Sequence, residues 1–176
     1  MIYIGEVMDT IEKKYTAKQA MQSIVECLND GTNKAIQIIT MQGIADSERK
    51  LFVKMIFHWI HKNKGRVLLI ANGNESLKRM KERIETSYKG IKVIETATWE
   101  EHGVSDDKIL NRINGSEVEF IIASLSREVE EAFTKQNRMS LNAKVWIGLG
   151  TRENWKRDKN FLGKITKLIA NARVKK

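Results

Sequence analysis

Residues 65–90 read GRVLLIANGNESLKRMKERIETSYKG, and this stretch decides the fold. Val67-Leu68-Leu69-Ile70-Ala71 is an unbroken apolar run, the pattern of a strand covered on both faces. Asn72-Gly73-Asn74 interrupts it with the residues that a tight strand-to-helix turn requires. Leu77, Met80 and Ile84 then recur at helical spacing, with Lys78, Arg79, Lys81, Glu82 and Arg83 between them. Gly90 supplies a left-handed stop, and Ile91-Lys92-Val93-Ile94 opens another strand. The stretch is one βαβ unit.

Similar units flank it. Ile2-Tyr3-Ile4 and Val7-Met8 suggest a short strand or hairpin. Thr16, with Gln19 three residues on, forms a capping box and opens a helix whose apolar face is Ala17, Ala20, Met21, Ile24, Val25 and Leu28. Residues 35–40 read as a strand ending in Thr40-Met41-Gln42-Gly43. Asp46 or Ser47 is predicted to cap the next helix, with Phe52, Met55, Ile56, Trp59 and Ile60 on its apolar face. Beyond the central unit, Ser105-Asp106-Asp107 starts a helix carrying Ile109, Leu110 and Ile113, with acids at the positive end of its dipole. Residues 118–123 form a strand, Ser124-Leu125-Ser126 turns into a helix over 128–137, and 143–147 form the last strand, ending in Gly148-Leu149-Gly150-Thr151-Arg152.

Such alternation predicts a single Rossmann-like α/β domain over residues 1–151, with a mostly parallel sheet of five to six strands and helices on both faces. The most apolar runs, 67–70, 120–123 and 145–147, are predicted to be its central strands. Open sheets of this kind bind ligands at the carboxyl ends of their strands. Thr40, Gln42, Asn72, Gly73, Ser124, Ser126, Gly148, Gly150 and Arg152 follow strand ends and are the candidate substrate-binding residues.

Composition sets further bounds. With 176 residues and 41% apolar content, the chain has the size of one domain with a real core. No apolar run approaches the length of a membrane span, and no signal peptide is read at the start. The single cysteine, Cys27, rules out an internal disulfide and is expected to pack. These features predict a cytoplasmic protein. Residues 152–176 hold nine basic residues and two acids, so +7 of the net +9 lies there. Phe161, Leu162, Ile165, Leu168, Ile169 and Ala172 give this segment an amphipathic pattern. It is predicted to be a basic C-terminal helix that either packs on the sheet or lies on an anionic membrane surface.

Several chemistries lack their motif. Gly148-x-Gly150 follows a strand, but Glu153 occupies the third glycine position of a dinucleotide loop. No P-loop sequence occurs. His58 and His61 sit at helical spacing without an evident third ligand, so no metal is expected, and no cofactor is expected either. Aromatic and basic residues interleave only at Trp155-Lys156-Arg157, which makes nucleic-acid binding the last-ranked reading.

From residue 65 to 155 the pattern resembles the WecG/TagA/CpsF glycosyltransferase family. Its "rvfllGg" strand and helix, "ypglkivg" strand, "deeiierIn" helix, "adillvglGsPkQEkw" strand and helix, and "GvGgsFD" strand end correspond to residues 65–72, 88–96, 106–114, 118–133 and 145–154. Residues 11–28 and 36–42 are similar to its opening helix and "vvTxN" strand end, with Thr40 at the family threonine and Gln42 where asparagine stands. The "GsPkQE" motif becomes Ser126-Arg127-Glu128-Val129-Glu130-Glu131, keeping its final acid, and the two glycines of "GvGgsFD" are Gly148 and Gly150. The resemblance implies a nucleotide-diphospho-sugar donor, an N-acetylhexosamine-type sugar and a polyprenyl-diphosphate-linked acceptor.

Family members also carry an Asp-Gly segment whose aspartate is the proposed general base. Here residues 41–47 lead almost directly into the next helix. Sugar transfer to a hydroxyl gains about 10²–10⁴-fold from a proton acceptor, so this departure predicts weakened activity. Glu95, Glu100, Glu101 and Glu131 lie near strand ends, and Glu131 is the candidate catalytic residue, a carboxylate that would replace the base. The alternative is a catalytically degenerate module that binds a nucleotide, a lipid head group or a protein partner.

Overall fold

The computed structural model describes residues 14–31, 35–99 and 106–151. The expected strand or hairpin near the start, Glu100 and Glu101, and the basic segment 152–176 with Arg152 lie outside them. The described chain alternates α1 (Ala17–Asn29), β1 (Gln37–Thr40), α2 (Arg49–Lys62), β2 (Arg66–Ala71), α3 (Asn74–Ser87), β3 (Lys92–Thr98), α4 (Asp106–Gly115), β4 (Phe120–Ser124), α5 (Arg127–Asn137) and β5 (Val145–Gly148). All five strands are parallel, in the order β1-β5-β4-β2-β3. The three most apolar runs are β2, β4 and β5, and these are the three interior strands. The chain is an α/β protein with the architecture of a single Rossmann-like domain.

Both faces of the sheet are covered, which explains why its interior strands lack a polar face. Val67, Leu69, Phe120, Ile122, Val145 and Ile147 meet α1, α2 and α3 on one side. Leu68, Ile70, Ile121, Ala123 and Trp146 meet α4 and α5 on the other. Thr16 accepts from the Gln19 backbone N–H at 3.2 Å, and the Gln19 side chain accepts from the Thr16 N–H at 2.9 Å, so the capping box closes as its sequence predicts. Gly90 has φ +98°, the left-handed conformation assigned to it.

The beginning of α2 differs from its sequence reading. A short 3-10 turn covers Asp46–Glu48, and α2 itself begins at Arg49. Asp46, one of the two predicted caps, is used elsewhere, pairing with Lys14 at 3.1 Å and Arg49 at 3.0 Å, while Glu48, which stands at the N-cap position, accepts from the Ala17 N–H at 3.1 Å. Tyr15 forms an isolated parallel bridge with Ile44, donating to the Gly43 carbonyl at 2.8 Å and accepting from Ala45 at 2.9 Å. These contacts fasten the lead into α1 to the turn that follows β1.

Candidate active site at the carboxyl edge

The connections set where a ligand edge forms. α3 leaves β2 toward one face, whereas α5 leaves the neighbouring strand β4 toward the other. Adjacent strands whose helices diverge in this way leave a crevice outside their carboxyl ends. Asn72 donates its backbone N–H to the Ser124 carbonyl at 3.2 Å, so the two loops meet there. Register carries the same level across the sheet: Thr40 opposes Gly148, Gly148 opposes Ala123, and Ser124 opposes Ala71. Thr40, Gly148, Ser124 and Asn72 thus line one edge.

The remaining candidates have distinct local roles. Ser126 is the N-cap of α5, its hydroxyl accepting from the Val129 N–H. Ser124 donates its hydroxyl to the Gly150 carbonyl at 3.0 Å and holds the loop after β5. Gly150 takes φ +72°, a conformation that L side chains rarely adopt. Gln42 lies half-buried in the 3-10 turn Met41–Gly43 directly after β1. Gly73 is the N-cap of α3 and offers no side chain, so the first turn of this helix keeps its backbone donors uncapped. Thr98 ends β3 opposite Ala71; only 5% exposed, its hydroxyl has no hydrogen-bond partner among the described residues.

The acids divide sharply. Glu131 is exposed and pairs with Arg127 at 2.6 Å along the outer face of α5. Glu95 is half-buried and accepts from the N–H of its neighbour Thr96. Glu130, one residue before Glu131, points the opposite way and is only 1% exposed. Its Oε1 accepts from Trp146 Nε1 at 2.5 Å. The carboxyl lies flat against Gly148, so closely that a β-carbon built there would overlap it. Burial pushes the Glu130 carboxyl up to about 7, with the nearby Glu131 charge adding to the rise and the Trp146 hydrogen bond opposing it.

Sequence reasoning missed Glu130, although a signal for it exists. Glu130, Phe133, Thr134 and Asn137 share a helical stripe at spacings of three, four and seven, and all are buried. Three of the four are polar, which disguises the stripe as a surface. The structure resolves this locally: Thr134 donates to the Glu130 carbonyl at 2.7 Å and Asn137 to the Phe133 carbonyl at 3.0 Å. Phe133 packs against Trp99 and Trp146, with ring centroids 5.2 and 5.7 Å away, and this aromatic layer helps keep water from the carboxyl.

The candidate site is therefore the carboxyl edge of a parallel α/β domain, with a protonatable group against its glycine strand end. The family model described as the glycosyl transferase WecG/TagA/CpsF family matches residues 10–152, and the chain belongs to that family. No curated protein matches it. Membership implies glycosyltransferase-type function, with a nucleotide-sugar donor and a lipid-linked acceptor in general terms. Among the described residues no cluster of three metal-ligating side chains occurs, and no helix is long and apolar enough to cross a membrane. His58 and His61 are exposed on α2, and the His61 ring lies beside Gly90.

Proposed function

We propose that this chain transfers an N-acetylhexosamine-type sugar from a nucleotide-diphospho-sugar to a polyprenyl-diphosphate-linked acceptor at the carboxyl edge of its sheet. The alignment of Thr40, Gly148, Ser124 and Asn72 along that edge carries the reading. The leaving diphosphate needs donors directed at its developing charge. The uncapped first turn of α3 at Gly73 supplies backbone N–H groups, and the glycine loop 148–150 lets the main chain approach closely. Gln42 and Ser126 border the same level.

The basic segment 152–176 extends the proposal to the membrane. Each basic residue near an anionic bilayer contributes about 1 kcal/mol, decaying over the Debye length. Several acting together would hold the protein peripherally on the surface that carries the lipid-linked acceptor.

Isothermal titration against a panel of uridine nucleotides and sugar nucleotides tests the donor site directly. Saturable binding of a nucleoside diphosphate and its sugar conjugate is the expected result, and no binding by any member of the panel refutes it. Binding without turnover would favour the degenerate binding module, a reading motivated by the short passage from β1 to α2, in which only 3-10 turns lie between Thr40 and Arg49.

A further inference from the structure

We propose that Glu130, held against Gly148 by Trp146, is the proton acceptor of the transfer reaction. The inference rests on the transferase reading and assigns a role that the reaction requires. Among the described residues, three other carboxylates around the sheet are paired with cations. Glu119 is paired with Lys144 and Arg66 at the opposite edge, Glu131 with Arg127 in solvent, and Asp46 with Lys14 and Arg49 beside α2. Glu130 alone among these is buried, and its Oε1 partner is the neutral Trp146 N–H.

Its position fits the task. Gly148 ends β5 at the level of Thr40 and Ala123, so the carboxyl lies at the ligand edge rather than midway along the strand. Gly148 has no side chain to stand between the acid and that edge. The indole N–H fixes Oε1, which orients the carboxyl group. A base kept out of water, with an affinity for protons near that of neutral solution, serves both halves of a proton transfer.

In the step itself, the acceptor hydroxyl oxygen forms a bond to the anomeric carbon of the donor sugar. The bond from that carbon to the diphosphate oxygen breaks, and its electron pair departs with the nucleoside diphosphate. The hydroxyl proton passes to the Glu130 carboxylate and from there to solvent, so charge and atoms balance without a further reagent.

The test measures transfer and donor binding together in the full chain. Glu130→Gln keeps an oxygen for the Trp146 N–H but cannot take the proton. The expected result is a fall in kcat of about 10²–10⁴-fold with donor Kd unchanged. Transfer by Glu130→Gln within threefold of the wild type overturns the inference, as does an equal loss confined to Glu131→Gln; either leaves the transferase reading standing. Donor binding without turnover by the wild-type chain removes the proton acceptor but keeps the donor site, and no donor binding removes both. If Glu130→Gln does not fold, Glu130→Ala assayed with added formate decides: restored turnover supports the role and its absence overturns it.

Discussion

The two edges of the sheet treat glutamate in opposite ways. At the amino edge, Glu119 accepts from the Lys144 ammonium at 2.9 Å and from the Arg66 backbone N–H at 3.3 Å, with the Arg66 guanidinium 3.9 Å away. Burial works against its charge, but the Lys144 and Arg66 contacts outweigh it and hold the carboxyl below its ordinary range. At the carboxyl edge, Glu130 has a neutral indole as its Oε1 partner, and burial dominates. The amino edge is closed by matched charges and consumes its acid in holding three strands together. The carboxyl edge keeps an acid whose proton is not committed. This division separates an edge whose acid is fixed by ion pairs from an edge whose buried acid is held by a neutral group.

Filling the space at Gly148 would break the contrast most forcefully. Gly148→Ala puts a methyl group where the Glu130 carboxylate lies. Overpacking of this kind costs about 1–3 kcal/mol, and the upper end is expected because the blocking group is polar and buried. Urea unfolding would measure it. A double-mutant cycle with Glu130→Ala should recover much of the loss, since the two sites share one contact; additive effects would mean that the carboxyl is not the obstacle.

The second test is the pH dependence of stability. Glu130 rises from 4.5 to about 7 on folding. The folded state therefore binds more protons than the unfolded state between these values. Its contribution is fully present below about pH 4.5 and is lost as pH rises through 7, by about 3 kcal/mol at 1.36 kcal/mol per unit. Thermal melts of the wild type and Glu130→Gln from pH 4.5 to 8 should diverge in this direction, with the variant free of that slope. Glu119 acts in the opposite sense: its contribution is present above about pH 4.5 and fades as pH falls through its depressed folded value. Parallel melting curves for wild type and Glu130→Gln would remove the contrast between the edges.

Smaller effects belong to the paired acids. Glu119→Gln should lower stability by about 1 kcal/mol, as for partly exposed ion pairs, and the loss should shrink with added salt. Removing the exposed Arg127–Glu131 pair through Arg127→Gln should cost about 0.3 kcal/mol, the scale of an i,i+4 contact. A chemical-denaturation series would rank the variants, and a reversal of this order would show that exposure is a poor guide here.

Much of this arrangement is legible in the sequence. Strands 67–70, 120–123 and 145–147 announce themselves as interior because apolar residues fill both faces, and alternation with helices dictates their common direction. The Thr16 capping box is equally local and equally readable. Phe57 is less so: it is fully buried and stacks on Tyr88 at 4.8 Å, yet its neighbours His58 and Lys54 suggest a polar flank. The start of α2 is not legible because Asp46 and Glu48 answer to Lys14 and Ala17, partners that only the folded chain brings near. Glu130 is hidden for a deeper reason. A buried carboxyl violates the pattern of its own helix, and its justification is a tryptophan and a glycine on another strand.

The bridge between Tyr15 and Ile44 has a consequence for handling the molecule. It fixes the lead into α1 beside the carboxyl end of β1, and Thr151 follows the adjacent strand β5 at the same end. Both attachment points of the flanking segments therefore sit on one rim. An affinity tag, a fluorophore or a solid support joined close to either point would load the ligand side first, leaving the opposite rim bare. Labels meant to report on the domain without disturbing its ligand rim belong instead at the amino edge, on exposed positions such as Glu117 or Asn142.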